Sequence, residues 1–456
     1  MILEPNTLLP APLPVSFMEA LRFWLKLGFI SFGGPAGQIA IMHTELVEQK
    51  RWISEKRFLH ALNYCMVLPG PEAQQLATYI GWLMHRTWGG VVAGGLFVLP
   101  SLFILIILSW VYMAFGQLPL VTGIFYGIKP AVTALVLHAA HRIGSRALKN
   151  NWMWAIAAAA FVAIFALHAS FPLIVLVAAL IGYWGGRAKP AIFGGAGGHG
   201  AAKQSYGAAL IDDDTPTPQH ALFSKTRMLQ VLVVGLLLWG GVFAALVAWQ
   251  GLDSVLAQMA WFFTKAAMLT FGGAYAVLPY VYQGAVEGHQ WLNGTQMIDG
   301  LALGETTPGP LIMVVAFVGF VGGWLKQVFG PDSLFLAGAV AATVVTWFTF
   351  LPSFIFILMG GPFIETTHGN LKFTAPLSAI TAAVVGVIAN LALFFAYHVW
   401  WPQGFDGRFD GVSALVTVGA AIALFRFKVG VISLLSACAA IGLALVYFAP
   451  WLVLVH

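Results

Sequence analysis

The sequence predicts an all-α polytopic membrane protein of two inverted-topology repeats, with broken helices or hairpins at the FGG and PGP motifs and an extra spanning helix joining the halves. Three observations carry this reading. Charge is scarce, apolar runs of membrane-spanning length recur, and short motifs return at a fixed offset. Of 456 residues only 9% are charged and 60% are hydrophobic, with a mean hydropathy of +0.86. Soluble domains carry charge at about 25% of positions to wet their surfaces, so a soluble globular protein, a disordered chain, a disulfide scaffold and a nucleic-acid binder are all excluded. The net charge of +5 is the signature of Lys and Arg in cytoplasmic loops.

The elements follow in chain order. Apolar runs lie near 90–115, 119–140, 152–168, 171–186, 229–250, 333–358, 374–397, 411–425 and 429–449. Each approaches the ~20 residues that cross a bilayer core, and none alternates as barrel strands do. Trp110, Tyr112, Trp152, Trp154, Tyr183, Trp184, Trp400 and Trp401 cluster at run ends, where an interfacial belt belongs. The start lacks the basic-then-apolar pattern of a secretory leader, so insertion through the chain's own spans is expected. Cys65 and Cys438 lie in apolar surroundings and read as packing residues. The predicted organisation is an N-terminal repeat over 1–186, a flexible cytoplasmic linker over 187–227, a connecting transmembrane helix over 228–252 and a C-terminal repeat over 253–456. The linker is rich in Gly and Pro and polar in composition. Its GGAGGHG run lacks the Lys-Ser/Thr of a phosphate loop, and its His199 and His220 read as solvated.

The repeat is explicit. Phe32-Gly33-Gly34 returns as Phe271-Gly272-Gly273, and Pro69-Gly70-Pro71 as Pro308-Gly309-Pro310, both at an offset of 239 residues. Lys26 matches Lys265 and Trp52 matches Trp291 at the same offset. Leu99-Pro100-Ser101 returns as Leu351-Pro352-Ser353. Internal repeats of this size are characteristic of secondary transporters. Lys plus Arg number 16 in residues 1–227 and 6 in residues 228–456. The loop 45–57 carries Lys50, Arg51, Lys56 and Arg57, whereas its counterpart 284–296 carries no basic residue. Corresponding loops of opposite basic content belong on opposite sides of the membrane. The unmatched run at 229–250 supplies the odd crossing that inverts the second copy. Hairpins and full crossings both remain open for the regions around the breaks, with hairpins favoured because they keep loop 45–57 cytoplasmic. Either way the N-terminus is expected in the cytoplasm and the C-terminus on the opposite side.

The breaks are the candidate site. Irregular backbone at membrane depth persists where it is buried in protein or lines a wet cavity. A half-helix start offers unpaired N–H groups and the positive end of a dipole, which suits a small anion. Pro35, Pro71 and Pro310 are each expected to open a half-helix. Lys26 and Lys265, just upstream of the Gly pairs, offer either positive charge for an anion or interfacial snorkelling. Glu72 follows one PGP and Glu305 precedes the other, so both are candidates for proton coupling. Gln38, Asn63, Gln74 and Gln75 add amide groups nearby. Lys129 precedes Pro130, but its counterpart Ala375 is neutral, so any role for it is asymmetric. The sequence holds no metal-ligand cluster and no nucleophile motif, and no enzyme activity or cofactor is expected.

FGGPAGQIAIMHTELVEQKRWISEKRF, LPGPEAQQLATYIGW and FVLPS, followed by FGGAYAVLP, HQWL, DGLALGETTPGPLI and FLPSF, resemble the chromate transporter family in its long two-domain form. The resemblance covers about 17–186 and 229–449. It implies a bacterial inner-membrane secondary transporter that exports chromate, driven by the proton or electrical gradient, and so confers chromate resistance. Transport of sulfate or another oxyanion, and an anion channel, are the alternatives. The implied partners are a small inorganic oxyanion and membrane lipid, with a homodimer as an option and no nucleic acid. The family's motif regions fall on Phe32, Gly33, Gly34, Pro35, Pro69, Gly70, Pro71, Phe271, Gly272, Gly273, Pro308, Gly309 and Pro310. Ala274 stands where the first copy has Pro35, which puts strict equivalence of the two copies at the site in doubt.

Overall fold

The computed structural model describes residues 12–32, 34–193, 206–271, 273–366 and 374–452. Within them the chain is helical, apart from one isolated parallel bridge between Ile53 and Ile211. The helices are α1 (Phe17–Ile30), α2 (Gly34–His43), α3 (Glu55–Cys65), α4 (Glu72–Phe115), α5 (Pro119–Ala147), α6 (Asn151–Leu167), α7 (Phe171–Ala188) and the short α8 (Pro190–Phe193). After the connection come α9 (Lys225–Gln250), α10 (Val255–Leu269), α11 (Ala274–Tyr282), α12 (Gly294–Thr306), α13 (Val314–Leu325), α14 (Leu334–Thr366), α15 (Thr374–Trp400), α16 (Gly411–Phe425) and α17 (Val431–Phe448). Seven helices among the described residues are long and apolar enough to cross a membrane. The nine runs predicted from the sequence all fall on helices, with α6 and α16 the shorter ones at 17 and 15 residues.

The offset of 239 is written into the backbone as well as the sequence. π-helical turns close α2 and α11 at Thr44–Gln49 and Gln283–Gly288. Beyond them Arg51 and Gln290 take matching left-handed conformations (φ 51° and 50°). Trp52 N–H donates to the Leu46 carbonyl and Trp291 N–H to the Ala285 carbonyl, each at 2.8 Å. A left-handed non-Gly residue costs conformational energy, so its recurrence at equivalent positions marks two copies of one local design.

α4 contains a reversal. His85 and Arg86 leave helical geometry, Arg86 at φ 58° and ψ −157°. The arms before and after them pack antiparallel, with Gly81 against Gly89 and Thr78 against Gly90 and Gly94. The second copy makes the same turn between α13 and α14, where Gly319 and Gly323 lie against Ala341 and Ala337. Only glycine permits this backbone approach, since a Cβ at Gly81 or Gly89 would strike carbonyl oxygen.

Contacts sort the loops into two ends of the bundle. At the first end His85 Nε2 donates to the Val15 carbonyl ahead of α1 at 2.9 Å, and Phe23 packs on Trp52. The connection lies on the same end. Leu210 N–H and Ile211 N–H donate to the carbonyls of Arg51 and Trp52, and His220 Nε2 donates to the Trp82 carbonyl at 3.0 Å. Arg227, at the start of α9, donates to the His220 carbonyl. The other end of α9 meets the second copy: Gln250 Nε2 donates to the Val328 carbonyl at 3.4 Å, and Trp249 stacks near Phe329. Trp291 and Met259 join that end through Gly322. α9 has 26 residues, about 39 Å at 1.5 Å per residue, so its two ends lie a bilayer's width apart. Its Leu229, Val233, Leu236 and Leu237 are exposed, as a lipid-facing helix requires.

The structure differs from expectation in three places. Part of the expected flexible linker, residues 206–221, is ordered against the first repeat, where backbone donors meet the carbonyls of a left-handed loop. His220 within it packs edge-on to Trp82 rather than into solvent. Tyr112 turns inward from the expected aromatic belt, because its hydroxyl finds a carboxylate, Asp299, at 2.9 Å. Residues 194–200, the GGAGGHG run, lie outside the described residues. Cys65 and Cys438 are buried free thiols.

Candidate functional site

The first break follows α1 at Ser31 and Phe32, and its counterpart follows α10 at Thr270 and Phe271. The second interrupts the chain between α3 and α4 at 66–71, and its counterpart lies between α12 and α13 at 307–310. The tertiary structure crosses them. Gly309 N–H donates to the Ser31 carbonyl at 2.7 Å, and Gly70 N–H donates to the Thr270 carbonyl at 2.8 Å. Each PGP of one copy is thereby joined to the FGG break of the other, in both directions. The same exchange recurs at the LPS motifs. A side chain on Gly70 would meet Ser353 Oγ, and one on Gly309 would lie 2.7 Å from Ser101 Cβ. Gly70 and Gly309 also hold φ of +127° and +101°, a region that L residues rarely enter. Two requirements, conformation and space, thus select glycine there.

Side chains from the first copy fasten the crossing. Gln38 is fully buried and donates through Nε2 to the carbonyls of Ser31 (3.4 Å) and Gly309. Gln75 donates through Nε2 to the Pro69 carbonyl (2.8 Å) and to Ser353 Oγ (3.4 Å). The second copy carries Val277 and Val314 at the matching positions, so the polar lining is one-sided. Ser31 Oγ, Ser101 Oγ and the Oε1 atoms of Gln38, Gln74 and Gln75 are buried and make no hydrogen bond among the described residues. Leaving a buried polar atom unpaired costs about 1–3 kcal/mol, so the four of Ser31, Gln38, Gln75 and Ser101 beside the crossing mark a place shaped for a polar ligand or water. The starts at Pro71, Gly273 and Pro310 receive no side-chain cap, which leaves first-turn donors free. At Gly34 and Gly273 a Cβ would meet nothing within 4 Å, so the backbone there borders open space.

The predicted residues divide accordingly. Gln38, Pro69, Gly70, Pro71, Pro308, Gly309 and Pro310 meet at the crossing, and Phe32, Gly34, Pro35, Phe271 and Gly273 flank it. Gly33 and Gly272 lie outside the described residues. Pro71 and Pro310 stand one residue before their helices rather than inside the first turn. Lys26 is exposed and paired with Glu45 at 3.0 Å. Lys265 is exposed and lies 5.9 Å over the Trp261 ring. The structure does not bring either lysine to the crossing. Their helical phase turns them away from the faces that pack Trp24, Leu27, Phe263 and Ala266.

Glu305 is buried at the end of α12 and accepts a hydrogen bond from Tyr275. Glu72 is half-buried at the start of α4. The positive charges that act on them come from one helix, α5: Arg146 on Glu72 and Arg142 on Glu305. Sequence reading did not single out these arginines. It also used Ser101 and Ser353 only as repeat markers and passed over Ser31 and Thr270. A hydroxyl residue immediately before FGG in both copies was the available signal. Asp299, on α12, pairs with Lys129 at 3.5 Å and was likewise missed. Among the described residues no group of three or more His, Cys, Asp or Glu could hold a metal ion.

Comparison with known proteins agrees with this architecture. The family profile described as "Chromate transporter" matches residues 18–183 and 257–443, one stretch in each repeat. The chain is 35% identical over 391 residues to a chromate transport protein of Pseudomonas aeruginosa, covering 84% of this chain and 82% of that protein. It is 29% identical to a chromate transport protein of Cupriavidus metallidurans, covering 83% and 82%. A probable chromate transport protein of Synechococcus elongatus is 28% identical, covering 85% and 86%. No solved structure matches.

Proposed function

The chain belongs to the chromate transporter family, and on that premise we propose that it is a secondary transporter that exports chromate across the bacterial inner membrane, driven by the proton or electrical gradient, and confers chromate resistance. The observation that carries the reading is the reciprocal pair of hydrogen bonds, Gly309 to Ser31 and Gly70 to Thr270. Two repeats that exchange their breaks across an approximate dyad have a second arrangement of similar energy in which the roles of the copies are reversed. That is the physical requirement for alternating access around a central site. The inverted relation of the repeats is supported by α9, whose two ends meet equivalent loops of the two copies. The hairpin form of the breaks is supported by the connection. Its Thr215 and His220 hold Arg57 near the start of α3 and Trp82 near the end of the first arm of α4.

The substrate site of this proposal is the crossing itself. Ser31 and Ser101 hydroxyls and the uncapped first turns at Pro71, Gly273 and Pro310 supply donors for oxyanion oxygens, and the α5 arginines supply positive potential. Gly34 and Gly273 form its open edge. Glu305 and Glu72 are the proposed proton carriers, since a carboxylate beside an anion must lose its charge before that anion binds well. Sulfate presents the same four oxygens and double charge, so transport of sulfate or exchange of the two is the second reading. The basic residues gathered near the start of α9 favour a cytoplasmic N-terminus, and the odd number of proposed crossings puts the C-terminus on the other side.

Radiolabelled chromate flux into inverted vesicles, with and without a proton gradient and with sulfate as competitor, tests the proposal. Saturable uptake that follows the gradient is expected. Flux that neither saturates nor responds to any ion gradient would favour a channel, and no flux would remove the transport reading. Cells producing the protein should accumulate less chromate than cells without it.

A further inference from the structure

Asp299 is the carboxylate that the proposed cycle leaves unused. It lies on α12 seven residues before Thr306, about 10 Å along the helix axis, between the crossing and the end of the bundle where Trp291 sits. Its side chain is 3% exposed, and its partner Lys129 on α5 is 15% exposed, at 3.5 Å. Tyr112 from α4 donates to Oδ2 at 2.9 Å, and Oδ1 has no hydrogen-bond partner among the described residues. The surroundings are apolar. Phe125 and Phe317 pack on the Tyr112 ring, and Phe317 of α13 also lies against Gly300. From α15, His398 lies against Gly294 at the start of α12. α17 carries Cys438 and Tyr447 as its titratable groups, and Cys438 lies against Gly127 rather than Asp299. Lys129 and Tyr112 are thus the ionisable groups that act on this carboxylate.

A buried ion pair between well-packed elements is seldom retained for stability, because desolvation offsets most of the attraction. This one bridges the two copies, and neither member is duplicated: His60 stands opposite Asp299 in the repeat, and Ala375 opposite Lys129. We propose that Asp299 is a proton-binding site of the transport cycle and that Lys129 links it to the oxyanion. The inference rests on the chain being an oxyanion transporter. The step is a simple protonation in which the Asp299 carboxylate takes a proton from water and becomes a neutral acid, and no other bond changes. The Lys129 ammonium then stands buried without its counter-charge. In a medium of low dielectric it attracts a doubly charged anion to the neighbouring crossing. Departure of the anion returns Lys129 to Asp299, and the proton leaves. Proton and oxyanion therefore bind with favourable coupling and cross together, the two affinities being raised by the same factor; of the two proposed driving forces, export then rests on the electrical potential, which expels the net negative pair.

The full chain, purified and reconstituted in proteoliposomes, provides the test through chromate counterflow and the apparent affinity for chromate across a pH series. One linked proton tightens wild-type affinity by up to about tenfold per unit of falling pH. Asp299→Asn imitates the protonated state. It should retain counterflow, bind chromate with an affinity whose pH shift is smaller by one linked proton, and show a correspondingly weaker flux under an imposed pH gradient. Lys129→Met should bind weakly at every pH. Chromate's own protonation is common to all variants, so the difference between wild type and Asp299→Asn is what is read. If Asp299→Asn fails to fold, the double variant Asp299→Asn with Lys129→Met removes both buried charges and should show the same reduction of the pH shift. A pH profile in either variant that tracks wild type overturns the inference while the transport reading stands. Absence of chromate counterflow in the wild type overturns both.

Discussion

Arg57 of the first repeat and Glu365 of the second form an ion pair 3.4 Å apart across the boundary between the halves, with side chains 15% and 8% exposed. Tyr79 also donates to Glu365, and Thr217 of the connection reaches it at 3.4 Å. Arg57 in turn donates to the Thr215 carbonyl. The connection between the repeats is therefore part of the contact that joins the two halves at this end.

If that contact closes the path to the crossing, removing it opens the end. Cys65 is a natural reporter, since it is buried at the break between α3 and α4 and the one other thiol is Cys438. In a Cys438→Ala background, Glu365→Gln should raise the rate of Cys65 labelling by a water-soluble thiol reagent about tenfold, the shift that ~1.4 kcal/mol of lost coupling produces. An unchanged rate would leave Arg57–Glu365 as a static brace.

Gly70 and Gly309 should tolerate no side chain. Gly309→Ala sets a Cβ 2.7 Å from Ser101 Cβ on a residue at φ +101°. Strain of this kind costs ~1–3 kcal/mol, and the hydrogen bond to Ser31 must lengthen with it. Chromate flux should fall at least about tenfold in either Ala variant. Gly34→Leu and Gly273→Leu carry the same positive-φ strain (φ +68° and +97°), but their side chains enter open space and meet no neighbour. Flux per molecule in the membrane should be lost in both. Near-normal flux in both would remove the FGG breaks from the pathway.

Lys26→Ala should keep wild-type chromate affinity. The sequence left an anion-binding role and an interfacial one equally open, but the pairing with Glu45 on an exposed surface favours the interfacial role, and exposed pairs contribute about 0–1 kcal/mol. The same outcome is expected for Lys265→Ala. A loss of affinity above about fivefold in either variant, measured by saturation of flux, would return that lysine to the site.

Docking of the connection should weaken in acid. Burial against Trp82 holds His220 below the ordinary imidazole value, helped by the charges of Arg86 and Arg227 and opposed by its hydrogen bond to the Trp82 carbonyl. Below the ordinary value of about 6.5 the undocked state binds more protons than the docked one. Docking is thus fully favoured above that value and is lost as pH falls toward the lower docked value. Limited proteolysis of residues 206–221 should accelerate over that interval, and His220→Gln should flatten the response.

The spans, the repeat and the candidate breaks were legible in the sequence because each rests on local chemistry. Long apolar runs, Gly/Pro motifs and basic loops need no partner to be recognised, and the fixed offset of 239 made the second copy readable from the first. Lipid as solvent narrows the choice further, since only satisfied helices survive it. The site itself was legible only in outline. Which break meets which is a long-range pairing, and Ser31 with Gly309 is a contact across most of the chain that local sequence does not encode. The two lysines lie apart from the crossing, because a helix has two faces and motif spacing alone does not choose between them. Asp299 with Lys129, and the α5 arginines with Glu72 and Glu305, likewise became visible only once α5 lay beside the broken units. Sequence by itself determined a helical, duplicated transporter of oxyanion-handling kin. Tertiary structure decided that the two copies exchange their breaks, because backbone groups freed by Gly and Pro at membrane depth must find partners, and here each finds one in the other repeat.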